Sequence, residues 1–141
     1  MRCSLQIPRK FVESMVTHAL ADDPNECCGI LSSKNGQVVK IFHMTNVEQS
    51  PYRYSMDSKE LYLTYKEIEE TDCELFAIYH SHTHSEAYPS STDVRLASWP
   101  DAFYILISLL NKIDPDIRIF SIHDGNITEH SLENPNEDLP H

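Results

Sequence analysis

Apolar residues recur along this chain with two periods, and their alternation predicts a layered α/β fold. Leu5-Gln6-Ile7 predicts a short strand. Pro8 suits a first helical turn, and Phe11, Val12, Met15, Val16, Ala19 and Leu20 form a stripe at helical spacing through about Asp22. Cys28 to Ser33 and Gln37 to His43 flank Lys34-Asn35-Gly36, a hairpin turn signal. Tyr52 to Met56 alternates like a strand. Asp57 and Glu60 stand at capping-box spacing, ahead of a helix to about Glu70 that would bury Leu61, Tyr62, Tyr65 and Ile68. Leu75 to Tyr79 is an apolar run ending at His80 and reads as a buried strand. Pro89 and the hydroxyl residues Ser90, Ser91 and Thr92 predict a loop and a helix start, with Ser91 or Thr92 as N-cap and the helix running from about Thr92 to Ser98. Ala102 to Leu109 is continuously apolar, as a central strand covered on both faces requires. Ile117 to His123 and Asn126 to Leu132 flank Asp124-Gly125, a second hairpin signal. Residues 133–141 are rich in Asn, Pro and acid and are expected to be disordered. No repeat is visible, so the expectation is one domain over residues 1–132.

Composition narrows the classes. A chain of 141 residues can close a single core. No apolar run is long enough to span a membrane, and no apolar secretion segment opens the chain, so a cytoplasmic location is expected. The net charge of −11 repels phosphate backbones, which argues against nucleic acid as a partner. The acidic cluster Glu67, Glu69, Glu70, Asp72 and Glu74 reads as a solvated face. Cys3, Cys27, Cys28 and Cys73 show no C-x-x-C spacing, against a structural zinc knuckle. Cys27 and Cys28 are expected to point to opposite strand faces and to pack as small, reduced residues.

The chemistry concentrates between Tyr79 and Asp93. His80 and His82 end the apolar strand, and residues i and i+2 of a strand share a face, so both rings can reach one ion. Asp93, in the first turn of the following helix, supplies a carboxylate. Two imidazoles and a carboxylate are the three protein ligands of a catalytic zinc that keeps a fourth position for water. Such a site needs a proton acceptor that is not a ligand. Glu26, just ahead of the Cys28 strand, is the candidate. Blander readings exist for each residue. Among eight histidines a lone His-x-His means little. Glu26 could be a surface carboxylate and Ser90 a capping residue, while His84 reads as a solvent-facing loop residue.

Taken in order, Glu26, His80-x-His82, Ser90 and Asp93 resemble the signature of the JAMM (MPN+) zinc metalloproteases. Tyr-His-Ser-His-Thr, followed by Glu-Ala-Tyr-Pro-Ser and Thr-Asp, is similar to the bacterial Mec+-like branch. Thr83 stands where the commoner family form has proline. The resemblance implies zinc held by His80, His82 and Asp93, with Glu26 as general base and Ser90 as donor to the oxyanion. It also implies an MPN fold, a three-layer mixed β-sheet flanked by helices and close to the cytidine deaminases. The deaminases' P-C-x-x-C motif is absent here. The implied partner is a ubiquitin-like sulfur-carrier protein whose C-terminal Gly-Gly tail carries one further amino acid, typically cysteine. The implied reaction frees that residue. A deubiquitinase-like isopeptidase would share the chemistry, but the connection from Met44 to Tyr52 is short for the gripping insertions of that class. A non-catalytic MPN scaffold would lack the ligands that this chain retains. His84, Glu86, Tyr88 and Arg95 are candidates for substrate contact by position alone.

Overall fold

In the computed structural model, which describes residues 3–134, the ten elements run β1 (Ser4–Gln6), α1 (Arg9–Asp22), β2 (Cys28–Lys34), β3 (Gln37–Met44), α2 (Ser58–Glu70), β4 (Glu74–His82), α3 (Ser91–Leu96), β5 (Phe103–Ser108), β6 (Asp116–His123) and β7 (Asn126–Glu133). The strands form one mixed sheet in the order β1-β7-β6-β5-β4-β2-β3. Only β1–β7 and β4–β5 pair in parallel. The β4–β5 crossover carries α3, so the sheet's centre and the Asp93 helix are joined by the chain itself.

Strand period two sorts the core into layers. On β4, Ala77 and Tyr79 pack with Phe11, Val12, Met15 and Ala19 of α1. Ile78 points the other way, into a cluster with Ile68 of α2 and Tyr104. One helix therefore covers each face, which is the expected three-layer arrangement. Cys27 belongs to the first cluster and Cys28 to the second, both with no exposure, as their adjacency predicts. Both hairpins turn where expected. Asn35 and Gly36 have φ of 53° and 80°, and Asp124 and Gly125 of 50° and 81°, the paired positive values of a type I′ turn.

Several expectations change. Tyr52 to Met56 is not a strand; only Met56 makes a bridge, to Asn46. Its alternation holds only from Arg53 on, because Tyr54 and Met56 pack on the second cluster while Arg53 and Ser55 are exposed; Tyr52, which an alternating strand would put beside them, is 75% exposed, and the backbone partners lie within the same loop. On α2, Tyr62 and Tyr65 are exposed and Thr64 is buried, because the covered face follows Leu61, Thr64 and Ile68. Leu20 is likewise exposed at the end of α1, and Pro8 is the N-cap rather than a helical residue. Asp57 accepts from the Glu60 N–H at 3.0 Å, but the Glu60 carboxylate bonds Thr45 instead of closing the box. Glu133 is in β7, paired with Gln6, and the remainder of the expected disordered tail, from residue 135, lies outside the described residues.

Gly29 sits opposite Tyr79 in the β2–β4 register. A Cβ there would stand 2.2 Å from the Tyr79 ring. That ring is fully buried and its hydroxyl is held 2.7 Å from His18 Nδ1, so it has nowhere to move. Gly29→Ala is expected to cost about 3 kcal/mol or more by overpacking, measured by denaturant unfolding. A loss under about 1 kcal/mol would show that the ring yields.

Candidate active site

The end of β4 builds the site. Cys28 pairs with His80, and the Ser81 N–H donates to the Cys27 carbonyl at 3.2 Å. The next step of that antiparallel register sets Glu26 opposite His82, on the face that carries His80 and His82. A buried bond from the Cys27 N–H to Ser81 Oγ, 2.8 Å, locks this end of the pair.

Asp93 comes from α3. Its N–H donates to Ser90 Oγ at 3.1 Å, and its Oδ2 accepts from the Ser90 N–H at 2.8 Å. This is a closed capping box with Ser90 as N-cap, one residue ahead of the expected cap. It fixes the carboxylate facing the histidines. His80 Nε2 lies 3.3 Å from His82 Nε2 and 3.2 Å from Asp93 Oδ1, and His82 Nε2 lies 3.0 Å from Asp93 Oδ2. His80, His82 and Asp93 are a group able to hold a metal ion among the described residues.

The donor set fits zinc. Tetrahedral ligands at about 2.0–2.1 Å from the ion stand roughly 3.3 Å apart, which is the spacing seen. His82 Nδ1 is 2.9 Å from the Glu86 carbonyl, and a carbonyl only accepts, so Nδ1 carries a proton and Nε2 is the nitrogen an ion would take. Burial lowers the His80 pKa against the pull of Asp93, which favours the neutral ring that a metal needs. Burial works against the charge on Asp93, but hydrogen bonds from His80 and His82 hold the carboxyl well below the usual range.

Glu26 is buried at 4% exposure. Burial pushes its carboxyl up to about 8, with His82 pulling it down and Asp93 pushing it up. A carboxyl placed there is a proton acceptor of raised basicity, the property a general base requires. Ser90 is exposed, and its oxygen already accepts the cap bond, so its hydroxyl hydrogen is left to donate. A cavity of about 250 Å³ opens beside the cluster, lined by Tyr54, Leu61, His80, Asp93, Leu96 and Trp99 among others.

Thus His80, His82 and Asp93 meet, with Glu26 alongside and Ser90 at the rim. His84 is exposed in the loop, as expected, with its ring 5.5 Å from that of Tyr52. Glu86 contributes its carbonyl, while its side chain is exposed. Arg118 of β6 stacks near Tyr88 and forms a bidentate pair with Glu129, bracing the outside of the loop. Sequence reasoning missed Tyr54, whose ring stacks on His80 at 4.6 Å, and Asn46, which holds the loop carrying it. Neither lies in a motif. Burial pushes the Cys27 thiol up to about 12 and that of Cys28 higher still, so neither is a nucleophile. No helix among the described residues is long and apolar enough to cross a membrane.

Residues 8–123 match the family described as prokaryotic homologs of the JAB domain. The chain belongs to that family. The JAB assignment spans every element that supplies a site residue, from α1 to β6. Among relatives, the CysO-cysteine peptidase of Mycobacterium tuberculosis is 43% identical over 127 residues, covering 89% of this chain and 87% of that protein. A probable TtuB-protein conjugate cleaving protease of Thermus thermophilus is 33% identical over 96 residues, covering 67% of this chain and 64% of that protein. The solution structure of DSY2949 from Desulfitobacterium hafniense superposes with a TM-score of 0.83 at 30% identity, covering 94% of each chain.

Proposed function

We propose that this JAB-domain chain is a zinc-dependent peptidase that hydrolyses the bond after the C-terminal Gly-Gly of a ubiquitin-like sulfur-carrier protein and releases one amino acid, cysteine. The observation that carries it is the His80, His82 and Asp93 group beside buried Glu26, in a chain 43% identical to a CysO-cysteine peptidase. His80, His82 and Asp93 would hold the ion. When bound, zinc supplies Lewis acidity, polarising the scissile carbonyl and lowering the pKa of a water toward 7.

The residues of the chain do the rest. Glu26 takes the proton of the attacking water and delivers it to the leaving amine, a transfer its buried carboxyl is tuned for. Ser90 donates its hydroxyl hydrogen to the oxygen that becomes negative. The Gly-Gly tail enters through the cavity beside His80 and Asp93, where the absence of side chains lets it approach closely. The same reading puts the enzyme in the cytoplasm, where its four thiols stay reduced.

Intact-mass spectrometry of a carrier ending in Gly-Gly-Cys, incubated with zinc-loaded protein, tests the reading. Loss of one cysteine residue is expected. An unchanged mass with zinc bound would overturn it. The Thermus relative's name favours a second reading, cleavage of protein conjugates; turnover of a carrier joined to a lysine side chain, and not of the cysteine adduct, would select that instead.

Ser90→Ala separates the hydroxyl's two roles. Loss of one oxyanion donor is expected to lower kcat by about 100- to 1,000-fold, whereas loss of the cap costs about 1 kcal/mol of stability. Steady-state kinetics together with thermal unfolding distinguish them. A stability loss with kcat within about threefold of wild type would leave Ser90 as a cap alone.

A further inference from the structure

The loop of residues 45–56, between β3 and α2, borders the site without joining the sheet, and one side chain organises it. Asn46 is 7% exposed. Its Nδ2 donates to the Glu26 carbonyl at 2.9 Å and to the Arg53 carbonyl at 3.1 Å. Its Oδ1 accepts from the Glu48 N–H at 3.0 Å and the Ser55 N–H at 3.1 Å. Two donors and two lone pairs are all that a side-chain amide has. The partners also dictate its orientation, because the reverse would set Oδ1 against two carbonyls and the NH₂ against two N–H groups.

These bonds reach the chemistry at two points. One grips the backbone of Glu26, whose own N–H bonds Ser50 of the same loop at 2.9 Å. Two others, at Arg53 and Ser55, bracket Tyr54. The Tyr54 ring stacks on His80 with an interplanar angle of 28°. Metal-binding histidines usually donate their second N–H to a carbonyl or carboxylate, which sets the ring. His82 does so, to Glu86. His80 does not: its Nδ1 is buried with no hydrogen-bond partner among the described residues. The flat contact with Tyr54 therefore takes over the orienting of that ring.

We propose that Asn46 is a positioning residue for the hydrolysis, a single buried amide that couples the placement of Glu26 to that of His80 through Tyr54. This rests on the roles given above to Glu26 and His80. Loop closure alone does not require it, since the Asn46–Met56 bridge and the bond from the Val47 N–H to the Ser55 carbonyl are made by backbone.

The test compares Asn46→Ala, Asn46→Asp, Tyr54→Leu and the double variant Asn46→Ala with Tyr54→Leu in the full chain. Asn46→Asp keeps the shape and the acceptors but loses the donors to Glu26 and Arg53. Both Asn46 variants are expected to bind stoichiometric zinc and to lose kcat by about 10- to 100-fold, the range for partners behind metal ligands, with KM moved less than about threefold. Zinc release to a chelator is expected to quicken by about tenfold in Asn46→Ala and in Tyr54→Leu, and by less than the product of the two in the double variant, because they act through one contact. A folded, zinc-loaded Asn46 variant with wild-type kcat would overturn the proposal. So would a rise in KM alone, which would make the loop a substrate grip. If Asn46→Ala fails to fold, unchanged zinc release from Tyr54→Leu would overturn it equally. A wild-type protein that cleaves no carrier sinks the proposed reaction, and the zinc-release arm then decides for Asn46 on its own.

Discussion

Glu26→Gln is expected to lower kcat by about 1,000-fold or more, near the top of the range for a general acid–base residue, while zinc content stays stoichiometric. The proposed role has two halves, uptake of a proton from water and its delivery to the amine, and glutamine performs neither. Glu26 is not in the metal-holding trio, so the ion should not notice the change. Nor should the fold. The side chain is buried, and burial disfavours the ionised carboxylate, so a neutral amide of the same shape carries a smaller desolvation cost. The measurement is turnover of the cysteine-bearing carrier by intact mass, beside metal analysis of the same sample. Activity within tenfold of wild type would remove Glu26 from the mechanism.

Asp93→Asn is expected to weaken zinc binding by more than about 100-fold, beyond the loss seen for partners behind a ligand, and to abolish turnover at stoichiometric zinc. Asp93 is the one anion among the three proposed ligands, held ionised by both histidines. Asparagine keeps an oxygen able to accept the Ser90 N–H and keeps the backbone N–H that donates to Ser90, so the capping box survives while the charge is lost. Competition with a chromogenic chelator reads the affinity, and far-ultraviolet circular dichroism reads the fold. Wild-type zinc affinity in a folded variant would mean that Asp93 is only a helix cap.

Legibility differed from element to element for physical reasons. The hairpins at Asn35-Gly36 and Asp124-Gly125 were readable because positive φ at both turn residues demands particular side chains. Tyr52 to Met56 misled because alternation reports which way side chains point and not what the backbone bonds to; here the backbone's partners include the side chain of Asn46. Tyr62 and Tyr65 misled because several helical faces were apolar enough to bury, and the sheet covered only one. The N-cap is Ser90, which the sequence offered as the bland alternative to its catalytic role, rather than Ser91 or Thr92, because the box with Asp93 satisfies two backbone N–H groups at once.

By itself the sequence determined that His80 and His82 share one face, since a strand has period two, and that Asp93 opens a helix soon after them. Those are local properties, set within a few bonds. Only the tertiary structure decided that Glu26 stands opposite His82. That neighbourhood follows from the β2–β4 register, whose locking contact joins residues 54 positions apart. It decided equally that Tyr54 lies flat on His80 and that Asn46 ties this loop to Glu26. Register between distant strands is chosen by burial summed over the whole sheet, and of the four Asn46 bonds the one to Glu26 spans 20 positions and needs that register.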